Sequence, residues 1–273
     1  MSTDLSGAVQ FKLKIADIPT PELESVMRLA LVQNCIVGIR GRVIFGLLPK
    51  PPHTTGQSEP EAPELDALTL SVYTCFSGLD ETAQQQHIHH LTQHIEQQWS
   101  HLYAHRNTPT LLRMTPPPVR NMPRLQGLVF DRYGWEQLLR ELAQRLAHPN
   151  PERFVQNGFF QQDTLAMQLF YVDARPTHFE LRVDLGPIPP QANASAVLKA
   201  MLSHNHFQGE ESGIWWALHP EENHVVMVLD HALSTEDAWF EAPRAHDFHG
   251  LLQETASQCQ VFWKTILLAQ SAN

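Results

Sequence analysis

The chain has 273 residues, is 42% hydrophobic and 18% charged, and carries a formal net charge of −10. That balance is ordinary for a soluble globular protein with material for a sizeable core, and its acidity disfavours broad binding to phosphate backbones. The acidity is uneven: −3 over residues 1–115 and −7 over residues 116–273.

In chain order, Val9 to Ile15 alternates apolar and polar residues, which predicts a half-buried strand. Thr20-Pro21 supplies an N-cap and a proline at the first helical position. The helix is expected to run to about Gln33, with Leu23, Val26, Met27 and Ala30 on one face. Cys35 to Leu48 reads as β-rich, with a turn or bulge near Gly38 or Gly41. Pro49 to Pro63, rich in Pro, Glu, Ser and Thr, reads as a long exposed loop. Leu68 to Phe76 predicts a strand, Asp80 caps a long helix ending near His105, and Leu111 to Met114 reads as a last strand. The order β-α-β-β-α-β suits a ferredoxin-like split βαβ layout. Thr115 to Pro123 contains three consecutive prolines, which favour extended geometry and cannot continue a helix. The expected organisation is an α+β domain over 1–115, a Pro-rich linker over 116–132 and a second α+β domain with an antiparallel sheet over 133–273. No internal repeat is evident.

In the second half, Trp135, Leu138, Leu139, Leu142 and Leu146 recur at helical spacing and His148-Pro149 ends their helix. Arg153 to Phe160 is read as holding a short strand. Thr164 to Val172 and Thr177 to Leu185 read as strands joined by Asp173 to Pro176. Asn193 or Ser195 opens a helix carrying Val197, Leu198, Met201 and Leu202. Gly213 to Leu218 and His224 to Leu229 form a hairpin across His219 to Asn223, and Phe248 to Ala269 is a closing helix. The expected order is α-β-β-β-α-β-β-α.

The stretch Leu181 to Pro189 is an apolar strand ending in Asp-Leu-Gly-Pro-Ile-Pro. The helix Ala196 to Asn205 follows, then Gly209 and Gly213, then the strand, acidic turn and strand of Ile214 to Leu229, and a closing helix from Phe248 through Trp263. In this order and spacing, residues 133–273 resemble the class I type III secretion chaperones, the CesT-like (Tir chaperone) family. The resemblance implies a homodimer of the bacterial cytoplasm that has no catalytic activity or cofactor. Its partners would be the unfolded N-terminal segments of secreted effectors, in the service of virulence, with a secretion ATPase as a further partner; neither nucleic acid nor membrane insertion is implied. Successive strand residues point to opposite faces, so one of Trp215 and Trp216 is expected to face a partner. The expected effector-binding and dimer surface comprises Trp215, Trp216, Val226, Met227 and Val228 on the sheet, with Leu198, Met201 and Leu202 on the middle helix. The resemblance leaves residues 1–115 as a degenerate second copy, an added targeting module or a fused regulator.

The remaining chemistry is sparse. His87, His90, His94, His101 and His105 fall on one helical face, and His90/His94 and His101/His105 have the spacing that lets two imidazoles grip one metal. A polar flank beside the apolar face of Ile88, Leu91, Ile95 and Leu102 is favoured over a metal site; a surface that charges between pH 5 and 7 is a third reading. Cys35, Cys75 and Cys259 form no CxxC pair and sit in apolar contexts, as inert buried thiols do. No Gly-x-Ser-x-Gly, HExxH or phosphate-binding glycine loop occurs. The alternative to a chaperone is a non-enzymatic regulatory adaptor of a secretion system, binding a folded partner or a metal through its first domain.

Overall fold

The computed structural model describes residues 8–41, 43–48, 66–75, 80–104, 132–171, 178–207, 213–232 and 245–271. The expected loop at 49–63, the strand at 111–114, the Pro-rich linker except its last residue, and the turn at 173–176 lie outside the described residues. The chain divides into two units, Met1–Pro123 with Leu198–Ser212, and Arg124–Val197 with Gly213–Asn273. Among the described residues, no helix is long and apolar enough to cross a membrane.

In the first unit, strand β1 (Ala8–Ile18) leads through a 3-10 turn (Thr20–Glu22) into helix α1 (Leu23–Gly41). The turn is closed by Glu22 N–H donating to the Pro19 carbonyl at 2.9 Å. Strands β2 (Val43–Leu48) and β3 (Asp66–Cys75) follow, then helix α2 (Glu81–Ala104), opened by Ala83 N–H donating to Asp80 Oδ1 at 2.8 Å as its sequence predicts. The three strands are antiparallel in the order β1-β3-β2, the order of a split βαβ unit.

One expectation is corrected here. The stretch from Cys35 is not β-rich up to Val43: α1 continues to Gly41 and only Val43–Leu48 is strand. Ile36, Val37 and Ile39 carry β propensity, but Gln33, Asn34 and Cys35 are buried on the helix, and tertiary burial outweighs so weak a local preference. Asn34 Oδ1 accepts from Phe45 N–H at 2.7 Å and its Nδ2 donates to the Phe45 carbonyl at 3.0 Å. Asn34, just past the expected end of the helix, is a buried clamp on β2.

The core of this unit gathers Val26, Met27, Ala30 and Leu31 of α1 with Phe45, Leu47, Leu68 and Leu70 of the sheet. Ile95, Trp99 and Leu102 of α2 are also buried, and the Trp99 ring lies 5.4 Å from that of Phe45.

The second unit opens with helix α3 (Arg132–Arg145), whose Trp135, Leu138, Leu139 and Leu142 are buried as their spacing predicts. Helix α4 (Pro151–Asn157) takes most of the span in which a short strand was expected, and strand begins there only at Phe159. The signal for it was present. Asn150 Oδ1 accepts from Arg153 N–H at 3.0 Å, Pro151 takes the first helical position, and Gly158 ends the helix at φ +65°. Strands β4 (Phe159–Gln162), β5 (Leu165–Tyr171) and β6 (His178–Pro187) follow, then helix α5 (Ala194–Phe207), strands β7 (Ile214–Leu218) and β8 (His224–Ala232), and helix α6 (Ala245–Ser271). The fold class is α+β, with an antiparallel five-stranded sheet in the order β4-β5-β6-β8-β7. Trp135 stacks on Tyr171 and Phe179, and Phe248 of α6 meets the Phe179 ring edge-on at 4.8 Å.

The structure also shows a repeat that is not evident in the sequence. Taken in chain order, β1-α1-β2-β3-α2 and β6-α5-β7-β8-α6 are the same module, with sheet orders β1-β3-β2 and β6-β8-β7. Their registers coincide. Phe45 opposite Leu70 has its counterpart in Trp216 opposite Met227, and Leu13 opposite Leu70 in Val183 opposite Met227. The outer strand of each shifts register at the same place, after Lys14 in β1 and after Asp184 in β6. Val26, Met27, Ala30, Leu31 and Asn34 of α1 match Val197, Leu198, Met201, Leu202 and Asn205 of α5 at one constant displacement, and all ten are buried.

Candidate functional site

None of the eight residues expected at a partner surface is exposed. Leu198, Met201, Leu202, Trp215, Trp216, Val226, Met227 and Val228 are each at most 4% accessible. Strand alternation also splits the sheet set. Trp216 and Met227 lie under α6, with Phe262 and Trp263 rings 6.0 and 6.1 Å from Trp216 and the Cys259 thiol 3.3 Å from Met227 Sδ. Trp215, Val226 and Val228 point to the other face, in register with Asp184 and Arg182. Trp215 and Trp216 thus face opposite ways as predicted, but both are core, so the expected partner-facing tryptophan is corrected.

A surface open to solvent lies elsewhere in the second unit. Helices α3 and α4 and strand β5 enclose a groove of about 610 Å³. Leu139, Val155, Leu169 and Phe170 supply its apolar lining, and Arg132, Glu136, Arg140 and Glu152 its charged one. Glu136 and Arg140 pair at 3.6 Å across one helical turn, a contact of little energy at this exposure. The far wall is held by two features. Gln168 Nε2 donates to the Asn157 carbonyl at 3.0 Å, and Arg182 Cζ sits 4.4 Å over the Phe170 ring. Beside the groove runs β4, which among the described residues is an outer strand paired only with β5 and carries the 49% exposed Phe159. Such a strand offers unpaired main-chain groups to an added strand. Sequence reasoning missed this site because it looked for a short strand over Arg153 to Phe160 and did not see the helix that forms one wall.

The histidine stripe lies on α2, with His90 and His101 exposed and His94 half-buried; His105 and the side chain of His87 lie outside what is described. Among the described residues, the three-ligand group that comes together is instead Asp184, Glu222 and His224, with donor atoms within 4.8 Å of one another. His224 Nδ1 lies 3.0 Å from Asp184 Oδ2 and 3.6 Å from Glu222 Oε2, while Asp184 Oδ1 accepts from Gly186 N–H at 2.8 Å. The group staples the bulge of β6 to the β7–β8 turn, and its partial exposure lets water screen the charges.

Among the described residues, burial shifts the ionisation of two groups, the buried Cys259 and the half-buried His204. Burial pushes the Cys259 thiol up to about 12, so it stays protonated and unreactive. Burial lowers His204 below its usual 6.5, favouring the neutral ring in the folded chain. The unfolded chain therefore takes up this proton first, and stability is lost as the pH falls from about 6.5 toward the lowered value. His204 is the counterpart of Gln33, which suggests the control. His204→Gln should flatten the fall in melting temperature between pH 7.5 and 5.5 relative to the parent. Parallel melting curves for the two across that range would remove His204 as the cause.

No protein-family model matches the chain, and no curated protein matches it. Among solved structures, the chain is similar to one described as "Crystal Structure of the ExsC-ExsE Complex", at 16% identity and a TM-score of 0.37, over 52% of this chain and 97% of that one.

Proposed function

We propose that this chain is a chaperone-like, non-enzymatic partner-binding protein of a type III secretion system, acting in the bacterial cytoplasm on the unfolded N-terminal segment of a secreted effector. The observation that carries the reading is the groove between α3, α4 and β5 beside the outer strand β4. An extended segment could pair with β4 through its main chain and place apolar side chains against Phe159 and Phe170, which suits an unfolded ligand better than a compact one. The charged rim of Arg132, Glu136 and Arg140 adds selectivity without closing the site. The sequence resemblance over 133–273 supports the same reading.

The test uses the full chain and the first hundred or so residues of secreted proteins encoded beside it. The expected result is a stable complex in which the segment becomes resistant to a non-specific protease. Phe159→Asp combined with Val155→Asp should weaken that complex tenfold or more, about 1.4 kcal/mol, while leaving the melting temperature of the free chain within a few degrees. Lack of protection by any co-encoded segment, or a variant that binds as tightly as the parent, would overturn the reading.

A further inference from the structure

The repeated module has an arrangement in its middle helix that a simple tandem would not need. From Leu198 onward α5 belongs to the first unit, although the strands before and after it, β6 and β7, belong to the second. Its contacts there are specific. Lys199 Nζ lies 2.8 and 2.9 Å from the two carboxylate oxygens of Asp66. The Thr69 hydroxyl and His206 Nδ1 are 2.8 Å apart. Asn205 Nδ2 donates to the Phe45 carbonyl at 3.2 Å, the same oxygen that accepts from Asn34 Nδ2 at 3.0 Å. Asn34 and Asn205 are counterparts in the repeat, so two equivalent side chains from two copies of one module converge on a single main-chain oxygen. Gly46 makes room for this approach: a Cβ there would sit 2.8 Å from the His206 backbone nitrogen.

We propose that the chain is a fused pair of one module in which the second copy supplies its middle helix to the first, and that it therefore works as a monomer. The homodimer implied by the sequence resemblance is replaced by a pairing inside one chain. Exchange of an identical element between two copies is a low-cost route to a symmetric dimer. When the copies are joined, the internal partner is present at an effective concentration on the order of millimolar, which a separate chain at micromolar concentration does not match. The pairing holds whatever the groove of the second unit binds.

The experiment combines mass measurement with a charge swap. Light scattering behind size exclusion should return the mass of one chain from micromolar to near-millimolar concentration. Lys199→Glu and Asp66→Lys should each lower the melting temperature by several degrees, and the double variant in one chain should recover most of the loss. The two single variants, unfolded in urea and refolded together, should show no recovery, because each helix returns to its own chain. Should the reversals not fold, Lys199→Met and Asp66→Leu provide the same comparison with neutral groups. A dimer mass, or recovery on mixing the single variants, would overturn the proposal.

Discussion

Trp216→Ala is expected to cost about 3–5 kcal/mol of stability, the range for emptying a large aromatic site in a core. Trp216 is fully buried in the second unit, between Met227 on the neighbouring strand and the Phe262 and Trp263 rings of α6. Nothing short of moving α6 would refill the space. Trp216→Phe should cost much less, because Phe45 fills the counterpart position in the first unit against Trp99. Urea unfolding followed by far-ultraviolet circular dichroism reads both values. A cost below about 1 kcal/mol for the alanine variant would mean that the ring does not carry core packing.

Gly158→Ala is expected to be the other severe substitution, at about 3 kcal/mol or more, from a single added methyl. Gly158 stands at φ +65° at the end of α4, where its N–H donates to the Phe154 carbonyl at 2.7 Å and its own carbonyl accepts from Leu169 N–H at 2.9 Å. A Cβ there would lie 2.1 Å from the Leu169 carbonyl oxygen. That oxygen is backbone, so no rotamer relieves the clash and α4 must lift from β5. Gly186 is the control: its φ is +80°, but a Cβ there meets nothing within 4 Å. Gly186→Ala should therefore cost only the conformational penalty, about 1–2 kcal/mol. Calorimetry that ranks Gly186→Ala as the more damaging would refute the argument. Gly158→Ala should also weaken partner capture, because α4 is one wall of the groove.

Much of the second half could be read from residues alone. The spacing of Trp135, Leu138, Leu139 and Leu142, the cap at Asn193 and the hairpin across His219 to Asn223 are local signals, and local signals survive in a single sequence. Asn193 Oδ1 does accept from Ala196 N–H at 3.1 Å. Two features were hidden for different reasons. The end of α1 was misjudged because Ile36, Val37 and Ile39 favour strand, and the partner that makes Asn34 tolerable inside the helix is eleven residues away on β2. The repeat was hidden because its evidence is geometric. On the middle helices only Val26, Leu31 and Asn34 keep their identity, at Val197, Leu202 and Asn205, while the shared strand order and register are not written in residue type. The expected site suffered from the same gap: the most apolar, patterned segments are the ones that become core, so Trp215 and Val226 were conspicuous for a reason unrelated to a partner. The groove, whose lining mixes charge and apolar surface, has no periodic signature.

Fusing two copies of a module changes how the protein can vary. In a symmetric pair of identical chains, every substitution is made twice, so a change that suits one side of an interface must also be borne by the other. Here each position and its counterpart mutate alone. Gly46 must stay small because the His206 backbone passes close to it, yet its counterpart is Ala217. Gln33 and His204, or Phe45 and Trp216, have likewise parted company inside the same frame. One copy carries α3, α4, β4 and β5 ahead of its first strand, and with them the groove. A fused pair can therefore carry a groove on one half alone, which two identical chains in a symmetric pair cannot.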